Sequence, residues 1–221
     1  CRQMGIRLPQ LRVMSAVMRT EPVAGGPETS ASGQGFGLRK RLDGGYTVAN
    51  WSGNVHEIVP DTLHFARDFM PALRHQKGSL KLRLGGAFIN DLRAGPDWRP
   101  DEVSPFEKTR VLDPPVHEPI LTEARRSLTA AFPAFHNMRV VERWGGVIDV
   151  TPDAVPVISS VDTMPGFFIA TGFTGHGFGI GPGAGRLMAE LVMGERPVVD
   201  PAPFRYSRFT DGSRPRPHPL A

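Results

Sequence analysis

Between the apolar run Phe167-Phe-Ile-Ala170 and the run Leu187-Met-Ala-Glu-Leu-Val-Met193 lies Thr171-Gly-Phe-Thr-Gly-His-Gly-Phe-Gly-Ile-Gly-Pro-Gly-Ala-Gly-Arg186, in which every second residue from Gly175 to Gly185 is glycine. The pattern reads as a short strand, a turn too poor in side chains to fill itself, and a helix that begins near Pro182 and is closed by Gly194. Proline at a first helical position needs no N–H partner, and glycine just past the last apolar residue suits a left-handed cap. Such a turn lets a ligand approach bare backbone, and the helix behind it aims unpaired N–H groups and a partial positive charge at the same place. An anion or a polarised carbonyl would be at home there. Gly179-x-Gly181-x-x-Ala184 also satisfies the relaxed dinucleotide fingerprint, with Asp200 downstream, so an NAD(P)-binding module is one alternative. Against it, Pro197-Val-Val-Asp-Pro201 is bracketed by prolines that suit a central parallel strand badly. A second alternative is a loop that only lets strand and helix approach closely.

The rest of the chain narrows the classes. Its 221 residues are 40% hydrophobic and 22% charged, enough for a sizeable core, and 26 basic against 22 acidic residues is a mild excess. No basic stripe interleaved with aromatics supports nucleic-acid binding. Cys1 is the single cysteine, which excludes an internal disulfide and a cysteine zinc site, and His64 and His75 are not spaced as a metal pair, so no metal is expected. No run has the length of a membrane span and no signal pattern opens the chain, so the expected location is cytoplasmic. A start on Cys1-Arg-Gln3 without Met points to a piece of something longer.

Taken in order, Leu11–Met18 reads as a buried strand. Gly37–Leu42 and Tyr46–Trp51 flank Asp43-Gly-Gly45, a hairpin signal. Alternation puts Tyr46, Val48 and Asn50 on one face and Thr47, Ala49 and Trp51 on the other. A helix starts at Pro60 with Asp61 as its cap and is kinked or restarted by Pro71. Leu80, Leu82 and Leu84 predict a half-buried strand. A long connection with prolines leads to a helix from about Pro119 to Phe132, with Ile120, Leu121, Ala124, Leu128 and Phe132 inward. Arg139–Trp144 predicts a strand that turns at Gly145-Gly146 into Val147–Val150, Thr151-Pro-Asp153 a further turn, and Val155–Ile158 another strand. Beyond Asp200 the chain turns rich in Pro and Arg, and fraying is expected, with disorder from about Ser213.

Two blocks, Trp144-Gly-Gly-Val-Ile-Asp-Val-Thr-Pro-Asp-Ala-Val-Pro-Val-Ile158 and Gly166-Phe-Phe-Ile-Ala-Thr-Gly-Phe-Thr-Gly-His-Gly-Phe-Gly179, followed by the glycine-rich helix start, resemble the C-terminal part of the FAD-dependent D-amino-acid oxidase superfamily, with glycine oxidase, sarcosine oxidase and D-amino-acid dehydrogenases. The resemblance implies an α+β fold: an antiparallel or mixed substrate-domain sheet covered by helices over residues 1–143, a flavin-facing segment over 144–200 that completes an FAD-binding domain, and an extended tail over 201–221. The family's N-terminal nucleotide-binding half is missing from this chain, which alone should bind FAD poorly.

By the same resemblance, the intact enzyme oxidises the C–N bond of a small-molecule amine or amino acid, of D-amino-acid, glycine, sarcosine or opine type, by hydride transfer to non-covalent FAD. Gly175, His176, Gly177, Phe178, Gly179, Ile180 and Gly181 are the candidate flavin contacts; Tyr46, Asn50, Trp51 and Trp144 are the candidate substrate contacts. His56, just past the hairpin, is a weaker candidate. His176 and Tyr46 are the candidates for a catalytic role. Three departures shape the expectation. Gly179 stands where sarcosine-oxidase-like members carry a lysine that promotes reaction with O2, which favours a dehydrogenase over a fast oxidase, with O2, a quinone or a carrier protein as the electron acceptor. Ile148 stands where others bind the substrate carboxylate with arginine. Gly145 and Gly146 offer no thiol for a covalent flavin link. A non-catalytic partner subunit of the same fold is the remaining alternative.

Overall fold

The computed structural model describes residues 1–50, 53–75, 80–94, 99, 101–213 and 215. The strands are β1 (Leu11–Thr20), β2 (Ala31–Gly33), β3 (Phe36–Lys40), β4 (Tyr46–Ala49), β5 (Asn54–Glu57), β6 (Leu80–Arg83), β7 (Val140–Val150), β8 (Val157–Val161) and β9 (Met164–Thr171). The helices are α1 (Pro60–His64), α2 (Ala66–His75), α3 (Gly86–Ala94), α4 (Pro105–Lys108), α5 (Glu118–Ala131) and α6 (Gly177–Met193). β1 organises the rest: it pairs antiparallel with β4 and β5 along one edge and with β7 from Leu11 opposite Val150 to Thr20 opposite Val140. β3 and β2 extend the sheet beyond β4, and β6 joins β5 in parallel, which makes the seven-stranded sheet mixed. β8 and β9 form a separate antiparallel pair.

The hairpin at Asp43-Gly-Gly45 forms as its residues require. Gly44 takes φ +82°, and the Asp43 carboxylate accepts the Gly45 N–H at 3.0 Å. On the sheet face carrying Ala16, Met18, Leu38, Tyr46 and Val48, α5 lays down Ile120, Leu121, Ala124 and Leu128, one helical stripe, with Phe135 closing the end. Full burial of such aliphatic side chains contributes roughly 1.5–3 kcal/mol each. β1 changes sides midway: Leu11 and Val13 are buried on one face, Ala16, Met18 and Thr20 on the other. Leu11 packs with Phe65 and Phe69 of the α1–α2 layer. The sheet is thus covered by α5 on one face at one end and by α1–α2 on the opposite face at the other end. Around Ser15 and Val17 that opposite face is only half-buried.

Several local expectations are corrected. β7 runs unbroken through Gly145-Gly146, because Ala16 and Ser15 of β1 pair with those glycines; a Cβ at Gly145 would stand 2.5 Å from the Pro114 carbonyl oxygen, so glycine lets that segment cross the strand. Val59, extended at φ −129°, rather than Asp61, precedes the first turn of α1, and the break falls at Phe65, while Pro71 lies inside α2. The connection after β6 contains α3 and α4, whose Ile89, Leu92 and Phe106 are exposed; without a buried face there was no periodic signal to read. Leu82 and Leu84 are exposed rather than half-buried.

The tail is pinned rather than frayed as far as Ser213; beyond it, only residue 215 is among the described residues. Tyr206 is buried with Ile6, Val157, Val161 and Ile169, its hydroxyl donating to the Arg7 carbonyl at 2.9 Å.

Candidate functional site

β9 delivers the chain to the glycine-rich bend, and short polar links hold it there. The Gly172 N–H donates to Asp149 Oδ2 at 2.7 Å, Gln10 Nε2 donates to the same oxygen at 2.7 Å, and Thr171 Oγ1 lies 3.4 Å from it. Gly172 has φ +76°, and a Cβ there would stand 2.4 Å from the Thr151 methyl. Thr174 is itself left-handed at φ 51°, its hydroxyl donating to the Gly172 carbonyl at 3.0 Å. Gly175, φ +85°, then rides over Ile148, whose methyls would be 3.7 Å from a Cβ at that position.

From Gly175 onward the chain lies open. Gly175, His176, Phe178, Gly179 and Ile180 are all exposed, Phe178 completely, and a Cβ at Gly179, Gly181, Gly183 or Gly185 would meet nothing within 4 Å. α6 begins at Gly177, five residues before the expected start at Pro182. Pro182 is tolerated in its second turn because the acceptor it leaves unbonded, the carbonyl of exposed Phe178, stays in water. Gly194 caps the helix at φ 69°, as its position predicts. The bend therefore presents a ledge of bare backbone beside the positive end of a 17-residue helix. A flat group with an electron-rich edge could lie against it without displacing a side chain.

The ledge continues onto the sheet. Ile148, Gly146 and Trp144 alternate along one face of β7 and pair with Val13, Ser15 and Val17. At roughly 3.3 Å per residue, Trp144 stands about 13 Å along the strand from the point where Ile148 meets the bend. It is 38% exposed, and its neighbours Val17 and Ala49 are half-buried. Tyr46 and Asn50 lie on the opposite face, under α5: Tyr46 is fully buried against Phe135 with its hydroxyl donating to the Pro27 carbonyl, and Asn50 donates to the Ile120 carbonyl at 3.3 Å. The structure thus leaves Trp144 on the strand face that carries Ile148, some way along it from the bend, and puts Tyr46 and Asn50 on the opposite face. Trp51 lies outside the described residues.

His56 is buried and locked: Arg12 offers a carbonyl at 2.6 Å from Nδ1, which must therefore carry the hydrogen, and the Thr62 hydroxyl sits 2.8 Å from Nε2. It ties β1, β5 and α1 together. Gln10, Asp149 and Thr151 were missed as site residues. In the sequence, membership of or proximity to the Thr-Pro-Asp turn was the one signal for Thr151 and Asp149, Gln10 carried none, and the contacts that give them a role span up to 161 positions.

A hollow of about 1120 Å³ is lined by Ile6, Arg7, Gln10, His64, Phe65 and Phe106 among others, and shares only Gln10 with the residues that hold the bend. Its Arg7 is already engaged by Asp68 and stacked over Phe65. The ledge, by contrast, is a single wall, with no facing one among the described residues. Among the described residues no group of three or more His, Cys, Asp or Glu could hold a metal, and no helix is long and apolar enough to cross a membrane.

The return past α6 is carboxylate-pinned, which gives it a pH signature. The Val198 N–H and the Arg186 guanidinium hold Glu190 below the usual carboxylate range, and the Ser213 hydroxyl and N–H, with Arg205, bring Asp211 down to about 2. Depressed carboxylates contribute stability above their unfolded values that is lost as pH falls through the folded ones. Protection of the Ser213 amide in hydrogen exchange should hold at neutral pH and fall away between pH 3.8 and about 2, and that of Val198 should be lost as acid protonates Glu190 below the usual carboxylate range. Constant protection across that window would show the pins to be idle.

The fingerprint reading loses its context here. Gly179, Gly181 and Ala184 lie within α6, and β9 pairs antiparallel with β8 rather than standing in a parallel sheet. Comparison with known proteins points elsewhere. Glycine oxidase from Pseudomonas aeruginosa is 34% identical over 145 residues, covering 63% of this chain and 35% of that protein. Sarcosine oxidase subunit beta from Rhodobacter capsulatus is 36% identical over 91 residues, covering 41% of this chain and 21% of the relative. The structure of L-amino acid deaminase from Proteus myxofaciens, in complex with anthranilate, superposes with a TM-score of 0.86 at 34% identity over 94% of this chain and 46% of that one. The chain therefore spans under half the length of these relatives. The model of the family described as FAD dependent oxidoreductase (DAO) matches residues 2–191, and the chain belongs to that family.

Proposed function

We propose that the protein carrying these residues oxidises the C–N bond of an amino acid or secondary amine, with FAD held non-covalently against Gly175, His176, Gly177, Phe178, Gly179, Ile180 and Gly181. The observation that carries this reading is the uncovered ledge at the start of α6, continuous with the face of Trp144. Bound FAD supplies a two-electron acceptor whose ring edge gains negative charge on reduction. The chain's part is to hold backbone N–H groups and a helix N-terminus where that charge develops, so that they favour the reduced state more than the oxidised one. In this reading residues 1–143 are the substrate side, 144–200 the flavin-facing segment and 201–221 a tail. The wall facing the ledge comes from a nucleotide-binding half outside these 221 residues, in keeping with the chain's spanning under half of the deaminase.

The open face between Ile148 and Trp144 is floored by Gly146, Ser15, Val17 and Ala49, with no charged group among them. That favours an amino acid with a bulky apolar or aromatic side chain over glycine or sarcosine. Anthranilate, bound by the Proteus myxofaciens deaminase, joins an aromatic ring, an amine and a carboxylate. Gly179 brings no cation to the ledge, which favours a dehydrogenase that passes electrons to a quinone or carrier protein over a fast oxidase. The full-length protein should be yellow, should bleach without oxygen on addition of L-phenylalanine or L-leucine but not of sarcosine, and should regain colour faster with a soluble quinone than with air. A flavin-loaded protein that no amine or amino acid bleaches would overturn the reading.

A further inference from the structure

We propose that Asp149 is the positioning residue of the ledge: its carboxylate sets where the backbone of the bend stands, and with it the start of α6. The proposal rests on the flavin reading above for its consequence, though not for its geometry. Three segments meet on one oxygen. Asp149 Oδ2, on β7, takes the Gly172 N–H and the Gln10 amide at 2.7 Å each, with the Thr171 hydroxyl at 3.4 Å. Gln10 leads into β1, and Thr171 ends β9 with Gly172 next after it. Gln10 also donates to Thr171 Oγ1 at 3.0 Å, which closes the group.

Each donor is neutral, and among the described residues Asp149 is in no ion pair, so these links draw on the whole carboxylate charge. The bend needs such an anchor. Thr174, at φ 51°, holds left-handed backbone that a non-glycine residue keeps only when its surroundings over-determine it, and Gly172 and Gly175 on either side, at φ 76° and 85°, have glycine's freedom to move. Two adjacent residues of β7 supply that restraint: Asp149 grips Gly172 at the near end, and Ile148 supports Gly175 at the far end. Without the first grip, the ledge loses its fixed distance from the strand that carries Trp144.

The test uses full-length protein with Asp149→Ala, Asp149→Asn and Gln10→Ala. In the wild type, exchange of the Gly172 amide, bonded to Asp149, and of the His176 amide, bonded to the Phe173 carbonyl, should be slow, and in Asp149→Ala about tenfold or more faster, consistent with loss of a charge-assisted bond, while α5 is unchanged. The visible circular dichroism of bound flavin should change and kcat should fall by a similar factor, with KM altered far less. Asp149→Asn keeps an acceptor for the Gly172 N–H and should recover most of each signal; Gln10→Ala should fall between. If Asp149→Ala does not fold, the same readouts on Gln10→Ala decide, since that variant removes one of the donors on the shared oxygen. Wild-type exchange at Gly172 and His176 with an unchanged flavin spectrum, in Asp149→Ala or, failing that, in Gln10→Ala, would overturn the proposal. A wild type that never binds flavin, with exchange still faster in the variants, would sink the flavin reading and leave Asp149 as the pin.

Discussion

Arg208→Ala is expected to destabilise the protein by about 3–5 kcal/mol, the range for removing one partner of a buried ion pair. Arg208 and Asp153 are each 4% exposed and meet in a fork, Nε to Oδ2 at 2.8 Å and one terminal nitrogen to Oδ1 at 3.2 Å. The remaining donors are used on the Val155 carbonyl at 2.7 Å and the Arg205 carbonyl at 2.9 Å, and the guanidinium stacks on Phe209 at 4.2 Å. Truncation strands the Asp153 charge in an apolar setting and frees the tail from the Thr-Pro-Asp turn. Replacing both partners with apolar residues of similar volume should cost less than either truncation alone, because no unpaired charge is left. Urea unfolding of the three variants checks this. A loss of under about 0.5 kcal/mol for Arg208→Ala would place the pair in the class of solvated surface bridges.

Gly172→Ala carries the second large effect. Left-handed backbone costs an L-residue roughly 1–2 kcal/mol, and forcing a methyl group into a filled space adds about 1–3 kcal/mol. Both apply, since φ is +76° and the new Cβ would fall 2.4 Å from the Thr151 methyl. The two parts can be separated. Thr151→Ser deletes that methyl and keeps the hydroxyl that donates to the Val155 carbonyl at 2.9 Å. Combined with Thr151→Ser, Gly172→Ala should recover the packing part and retain the backbone part, so the double-mutant cycle should show coupling. Strict additivity would mean that the contact with Thr151 is relieved elsewhere.

Much of the fold was legible because it is written in short-range patterns. The α5 stripe, the Asp43-Gly-Gly45 hairpin and the Gly194 cap each depend on residues within a few positions of one another. The bend could be located for the same reason: alternate glycines cannot fill their own turn. Misreadings arose where a distant element chose between local options. Gly145-Gly146 resembles a turn until ten residues of β1 pair along β7 and carry the strand through. Arg208 resembles solvated tail until Asp153, 55 positions away, draws it inside.

By itself, then, the sequence determined the strands and helices that carry a strong local pattern, such as α5, the hairpin and the end of α6, which of their residues share a face, and where backbone lies bare, because side-chain alternation, helical spacing and glycine's freedom of φ are properties of neighbours along the chain. Only the tertiary structure decided which face of each strand is covered. Tyr46 and Trp144 look equally suited to a site in the sequence, yet β1 changes sides midway, α5 buries the first, and the second is left beside the open ledge. Burial is set by whichever long-range partner arrives, and no local pattern carries that information.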